Sequence, residues 1–143
     1  EEMAMEGGRR PMRAEEEEAP RKRRRGVVRD DLPVDEYRDE VIDFVQKHPV
    51  VICVGETGSG KTTQVPQFIA DAGDILPREK AVAVTQPRRV AVTSVAQRVA
   101  RERGGRVGDE VGYAIRFDDC TSHRTRIKYM TDGTLVRECL ADP

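Results

Sequence analysis

The sequence predicts an α/β fold, with a mostly parallel sheet flanked by helices. From about residue 32 onward, short apolar runs of strand length alternate with stretches of helical periodicity. Between the first apolar run and the helix after it lies Gly55-Glu56-Thr57-Gly58-Ser59-Gly60-Lys61-Thr62. This turn matches the phosphate-loop pattern G-x-x-x-x-G-K-[ST] at every fixed position.

Each element has its own local signal. Residues 1 to about 31 are nearly devoid of large apolar side chains and carry Glu15-Glu16-Glu17-Glu18, then Arg21-Lys22-Arg23-Arg24-Arg25. Such a segment buries too little surface to offset its ordering entropy, so a disordered charged tail is expected. The basic cluster suits a nuclear address, an RNA-adhesive patch or a plain solvated tail. Folded structure is expected from Leu32-Pro33. Tyr37, Val41, Phe44 and Val45 lie on one face of a helix that ends near His48-Pro49. Val50-Val51-Ile52-Cys53-Val54 reads as a buried strand, and residues 62–72 as a helix stopped by Gly73. Ala81 to Thr85 reads as a second strand, and Val90 to Arg103 as a crossover helix stopped by Gly104-Gly105. Strands are expected over 112–117 and 126–131. A last helix follows from Asp132 with Leu135, Val136, Cys139 and Leu140. There is no internal repeat.

Composition narrows the class. With 143 residues the chain holds one domain at most. Its formal net charge of -1 gives no whole-chain field to draw it to nucleic acid. Cys53, Cys120 and Cys139 form no C-x-x-C pair, which argues against a zinc site and a disulfide framework and fits a reducing compartment, nucleus or cytoplasm. His48 and His123 stand apart and read as ordinary surface residues. No apolar run is long enough to span a membrane, and no secretory signal is seen. The chain starts at Glu1 and stops at Pro143 without a tail, which reads as a piece of a longer polypeptide.

The loop carries the clearest chemistry. Its glycines let the backbone close around a polyphosphate where a Cβ would collide. Successive N–H groups and the following helix N-terminus favour an anion. Lys61 would reach the β- and γ-phosphates of ATP as a mobile charge, and the Thr62 hydroxyl would hold Mg²⁺. Glu56 either acts on the metal's water shell or caps local structure. The alternative is a chance glycine-rich turn before a helix.

Two further clusters follow strand ends. Thr85-Gln86-Pro87-Arg88-Arg89 puts two arginines at a helix N-terminus, an electrostatically poor position that suits a nucleic-acid phosphate or, more plainly, a solvated pair. Thr131-Asp132-Gly133 offers a helix cap or a second phosphate contact.

These segments together carry a resemblance. Gly55 to Gln64 resembles motif I of the DEAH-box RNA helicases, and Thr85 to Ala91 is similar to their motif Ia. Val111-Gly112-Tyr113-Ala114-Ile115-Arg116-Phe117-Asp118-Asp119-Cys120-Thr121 is similar to the next signature segment. Lys128-Tyr129-Met130-Thr131-Asp132-Gly133 is similar to motif Ib. The likeness covers about Leu32 to Pro143, with the motifs in order. It implies a P-loop NTPase of RecA-like fold, here incomplete. Residues 32–143 would form part of the first motor domain of an ATP-dependent RNA helicase. It implies nucleotide binding by Gly55, Glu56, Thr57, Gly58, Ser59, Gly60, Lys61, Thr62 and Thr63, with Mg²⁺ on Thr62. Arg98 would stack on the base, although its spacing alone reads as a solvated helix residue. Arg88 and Thr131 would contact the RNA backbone, Arg89 would support them, and Arg116 and Phe117 would sit on a turn beside the RNA. An activating protein partner is a further implication.

The family's Asp-Glu-Ala-His motif is absent, as is the second motor domain with its arginine fingers. Hydrolysis and unwinding are therefore expected to need further parts of a parent protein. Other readings are a different P-loop NTPase, which would not need Arg88, Arg89 and Thr131, or a short non-catalytic binder of nucleotide or RNA.

Overall fold

The computed structural model describes residues 31–141, so the expected charged tail lies outside the described residues apart from Asp31. A 3-10 turn over Pro33–Tyr37 opens the fold. It is fixed reciprocally: Leu32 N–H donates to Asp35 Oδ2 at 2.9 Å, and Asp35 N–H donates to Leu32 O at 2.8 Å. Helix α1, Arg38–Lys47, follows and stops before Pro49. Its apolar face is only half used. Tyr37 is 56% and Phe44 42% exposed, while Val41 and Val45 are half-buried. Helix α2 spans Lys61–Asp71, strand β1 Val82–Thr85 and helix α3 Arg89–Glu102.

Helix α3 ends as its glycines require. Gly104 adopts φ 70°. Gly104 N–H donates to Arg101 O and Gly105 N–H to Ala100 O, each at 2.9 Å. This pair of bonds is a Schellman motif, in which glycine tolerates the left-handed residue.

Strand β2 spans Val111–Ile115, β3 Asp118–Cys120 and β4 Ile127–Met130; helix α4 spans Asp132–Ala141. The sheet order is β1-β4-β2-β3. Strands β1, β4 and β2 are parallel, and β3 is antiparallel to β2. Strand β3 was not expected. Ile115 pairs with Asp118 across Arg116-Phe117, so the segment after β2 folds back as a hairpin. Among described non-glycine residues only Phe117, at φ 68°, has a positive φ.

The expected strand Val50–Val54 is not formed. Residues 50–54 join no strand and make no backbone–backbone hydrogen bond among the described residues. Val50, Ile52 and Val54 are 77%, 84% and 90% exposed. An apolar run supplies strand propensity, but a strand exists only beside a partner that accepts its ladder bonds. None of the four strands offers one here. An open cavity of about 840 Å³ separates this segment from apolar side chains of α1 and α2, among them Val41, Phe44, Val65 and Ile69.

The core lies where α3 covers the sheet. Val92, Ala96, Val99 and Ala100 bury against Val111, Ile127 and Tyr129. The small residues of α3 let the helix approach the β-branched strand surface closely. By contrast α4 buries only Thr134, and Val136 and Leu140 stay 59% and 80% exposed. No helix among the described residues is long and apolar enough to cross a membrane.

One polar contact inside this core has a covalent cause. Pro66 lies within α2 and has no N–H, so the carbonyl of Thr62, four residues earlier, lacks its usual helical donor. The buried Tyr129 hydroxyl donates to that carbonyl at 2.9 Å. Burial pushes the Tyr129 phenol's pKa well above its usual range, and the Glu102 charge adds to the shift, so the phenol stays a donor. Tyr129→Phe leaves the Thr62 carbonyl without that partner and is expected to cost about 1–3 kcal/mol in urea unfolding. In a Pro66→Ala background residue 66 regains an N–H, and the loss on Tyr129→Phe should shrink. An equal loss in both backgrounds would refute this pairing.

Candidate functional site

The loop alternates in handedness over its last three residues, Gly58 to Gly60. Gly58 has φ 85° and Gly60 φ 95°, with Ser59 between them on the negative side. Alternation of this kind turns successive N–H groups toward one concave side, a nest for an anion. Gly60 is also the N-cap of α2, so the unpaired donors of the helix face the same loop. No acidic residue occupies the first turn of α2 to compete for them.

Lys61 is drawn across this concavity. Its ammonium donates to Gly55 O and Glu56 O, each at 2.7 Å, and to Ser59 Oγ at 3.1 Å. All three of its protons are used, so a phosphate oxygen is reached by exchanging one of these contacts. The Thr62 hydroxyl makes no hydrogen bond among the described residues, while its backbone carbonyl is held by Tyr129. The Thr63 hydroxyl donates to Gly60 O at 3.2 Å and steadies the end of the loop. The loop-facing groups that fit a polyphosphate are thus the N–H groups, Lys61 and the free Thr62 hydroxyl. The Glu56 and Thr57 side chains are exposed.

The segment 32–34 straps the loop, which no motif announced. Val34 N–H donates to Ser59 O at 3.1 Å. A Cβ on Gly60 would stand 2.8 Å from Leu32 Cδ1 and 3.1 Å from Val34 Cγ1.

The second group of candidates converges on the carboxyl edge of the sheet. Thr85 at the end of β1 pairs with Met130 at the end of β4, and Ala114 of β2 pairs with Met130 from the other side. Three parallel strands therefore end together, and each hands over to candidate residues. Arg88 is the N-cap residue of α3; its carbonyl accepts from Val92 N–H at 3.1 Å, while its exposed guanidinium makes no hydrogen bond or ion pair among the described residues. Arg89 donates from Nη2 to Arg116 O at 3.1 Å, which ties the start of α3 to the hairpin tip. The Arg116 guanidinium carbon lies 4.8 Å from the centroid of the Phe117 ring, itself 89% exposed. Thr131 precedes α4; its hydroxyl shares a 2.9 Å hydrogen bond with Thr134 Oγ1, and its carbonyl accepts from the N–H groups of Thr134 and Leu135. A cation, a planar guanidinium on an aromatic ring, and two helix N-termini thus share one edge.

Arg98 is apart from that edge, on α3 nearer to α2. It is not simply solvated. Its Nε donates to Glu102 Oε1 at 3.0 Å. Burial raises the Glu102 carboxyl, but hydrogen bonds from Gln64, Arg98 and Gln67 and the Arg98 charge outweigh it and hold the pKa below its ordinary value. Arg103, 11% exposed, joins Asp71 of α2 at 2.8 Å to Glu110 at 2.6 Å, and these partners raise its pKa still further despite burial. Arg126 holds the loop after α2 by donating to the carbonyls of Leu76, Pro77, Arg78 and Lys80.

Compared with known protein families, the chain matches no family model.

Within the loop, Gly60 is the glycine with the least room for a side chain. Gly60→Ala meets both a positive φ and the Leu32 side chain, and is expected to lower stability by about 1–3 kcal/mol. Adding Leu32→Ala opens the space but leaves the backbone strain, so only part of the loss should return in urea unfolding. Complete recovery would show that the φ at Gly60 carries no cost.

Proposed function

We propose that this chain binds Mg-ATP in the loop 55–62 and the backbone of single-stranded RNA along the carboxyl edge of the sheet, as part of the first motor domain of a DEAH-box RNA helicase. The observation that carries the reading is the alternating-handed loop with the Lys61 ammonium inside it and the α2 N-terminus behind it. Backbone N–H groups of the loop cradle the phosphates, and Lys61 balances their charge. Thr62 is the residue that would hold Mg²⁺, which neutralises charge on the transferring phosphoryl group. Arg98 offers a planar cation to the base without reading its edge.

The RNA half rests on placement. Arg88 is unpaired at a helix N-terminus, where a cation is otherwise disfavoured, so an incoming phosphate relieves the misfit. Thr131 and the first N–H groups of α4 suit a neighbouring phosphate. Arg116 and Phe117 give a stacked platform of the kind that borders single strands. Arg89 acts by holding the Arg116 carbonyl.

Turnover asks for more. The resemblance assigns the orienting of the attacking water to the Asp-Glu-Ala-His motif, which this sequence does not contain. On this reading the chain contributes nucleotide and RNA binding, and hydrolysis is the work of a parent helicase with a second motor domain.

Equilibrium binding tests both halves. Lys61→Ala should weaken Mg-ATP binding roughly ten- to a hundredfold, the worth of one charge-assisted contact. Arg88→Ala should leave Mg-ATP binding alone, weaken single-stranded RNA, and reduce the salt slope by about one phosphate. If Lys61→Ala binds Mg-ATP as the parent chain does, the loop assignment fails. If Arg88→Ala keeps the full salt slope, the RNA assignment fails.

A further inference from the structure

Behind the loop lies a polar cluster that phosphate binding does not use. Glu102 on α3 has a side chain only 15% exposed. Its Oε2 accepts from Gln64 Nε2 and from Gln67 Nε2, each at 2.9 Å, and its Oε1 accepts from Arg98 Nε at 3.0 Å. Gln64 and Gln67 are 2% and 0% exposed and lie on α2, the helix that begins with Lys61 and Thr62. Gln64 Nε2 also reaches Thr63 Oγ1 at 3.1 Å, and Thr63 Oγ1 donates to Gly60 O. A continuous line of hydrogen bonds therefore runs from the last glycine of the loop to the Arg98 guanidinium. The Gln64 Oε1 atom is buried without a partner, so the amide is held by its donors alone.

We propose that Glu102 is a positioning residue of the nucleotide site, fixing the plane of the Arg98 guanidinium relative to the phosphate loop so that the base and the phosphates of ATP are held in one register. This rests on the ATP reading above.

The geometry gives the reason. A lone Arg98 one turn from the helix end would sample many rotamers, and its side chain is 60% exposed. A carboxylate anchored by two buried amides removes that freedom at Nε. It leaves both terminal amino groups and the guanidinium faces open. A planar cation held in this way loses less entropy when an aromatic ring stacks on it. An exposed i,i+4 ion pair would do little of this, because both partners would remain mobile. Here one partner is fixed by the same helix that carries the phosphate site. Glu102 thus adds to the part of the affinity that depends on the base, and not to the part that depends on phosphate.

The test compares the dissociation constants of Mg-ATP and of Mg-tripolyphosphate, which lacks base and sugar, in the full 143-residue chain. Their ratio cancels any uniform loss of affinity or of folded protein. The ratio in the parent chain should favour ATP, and Arg98→Ala should lower that preference on the order of fivefold, as for loss of a cation–π contact. Glu102→Gln keeps the shape but turns an amide toward donors; it should lower the ratio nearly as far. Glu102→Gln combined with Arg98→Ala should match Arg98→Ala alone, because the two act through one contact. Glu102→Asp keeps the charge but withdraws it from Arg98 Nε, and should fall between; it serves also if the Gln variant melts below the assay temperature. A preference for ATP that survives both Glu102 variants while Arg98→Ala abolishes it would overturn the positioning role. Equal affinity of the parent chain for ATP and tripolyphosphate would overturn it too, since no base contact would exist to be positioned. Binding of neither ligand would instead sink the ATP reading on which it rests.

Discussion

A missing proton on Pro66 sets the relation between the phosphate loop and the sheet. Proline inside α2 deprives the Thr62 carbonyl of its helical donor, and a buried carbonyl without a donor is costly. The Tyr129 hydroxyl fills the vacancy from the middle of the sheet. Tyr129 is paired on both sides, with Val84 of β1 and Tyr113 of β2. The first turn of α2 is thereby referenced to three parallel strands, although residues 50–54 before the loop are tied to none of them. Loop geometry, the direction of Lys61 and the reach of the Gln64–Glu102–Arg98 line all depend on where that first turn stands.

A division of labour follows from the same frame. Parallel strands end together, so the helices and turn that leave them present N-termini and side chains on one edge. Arg88, Arg116, Phe117 and Thr131 share that edge. The loop and Arg98 lie instead along α2 and the far part of α3. Helix α3 belongs to both groups. Its first residues face one set of candidates and its last turn, through Glu102, the other. A helix packed rigidly by Val92, Ala96 and Val99 is suited to relate two sites mechanically.

Much of this was legible in sequence where a local rule governs. Proline and glycine bound α1 and α3, and the G-x-x-x-x-G-K-[ST] spacing placed the loop at the start of a helix, as found. The run Val50–Val54 misled because a continuous apolar run reports what a segment can pair with, not that a partner is present. Strand β3 was missed because Asp118-Asp119-Cys120 has little strand character, and its pairing comes from the turn at Phe117. The last helix stands where Leu135, Val136, Cys139 and Leu140 placed it, and Val136 and Leu140 on it meet little. Glu102 belongs to no motif, and Tyr129, although inside the segment similar to motif Ib, carried no expected role. Their signals were indirect: a glutamate one turn after Arg98, two glutamines three apart on one helix face, and a proline four residues after Thr62. Each points to an unpaired group, but the partner lies dozens of residues away and only the fold brings it near.

The most direct measurement of the central claim follows the backbone amides of residues 56–62 by nitrogen-resolved nuclear magnetic resonance as Mg-ATP is added to the full chain. The account predicts saturable shifts concentrated on Gly58, Ser59, Gly60, Lys61 and Thr62, with smaller changes at the Gln64 and Gln67 side-chain amides, because those N–H groups form the nest and the line behind it. Absence of saturable change in that stretch, or saturation confined to amides elsewhere in the fold, would contradict it.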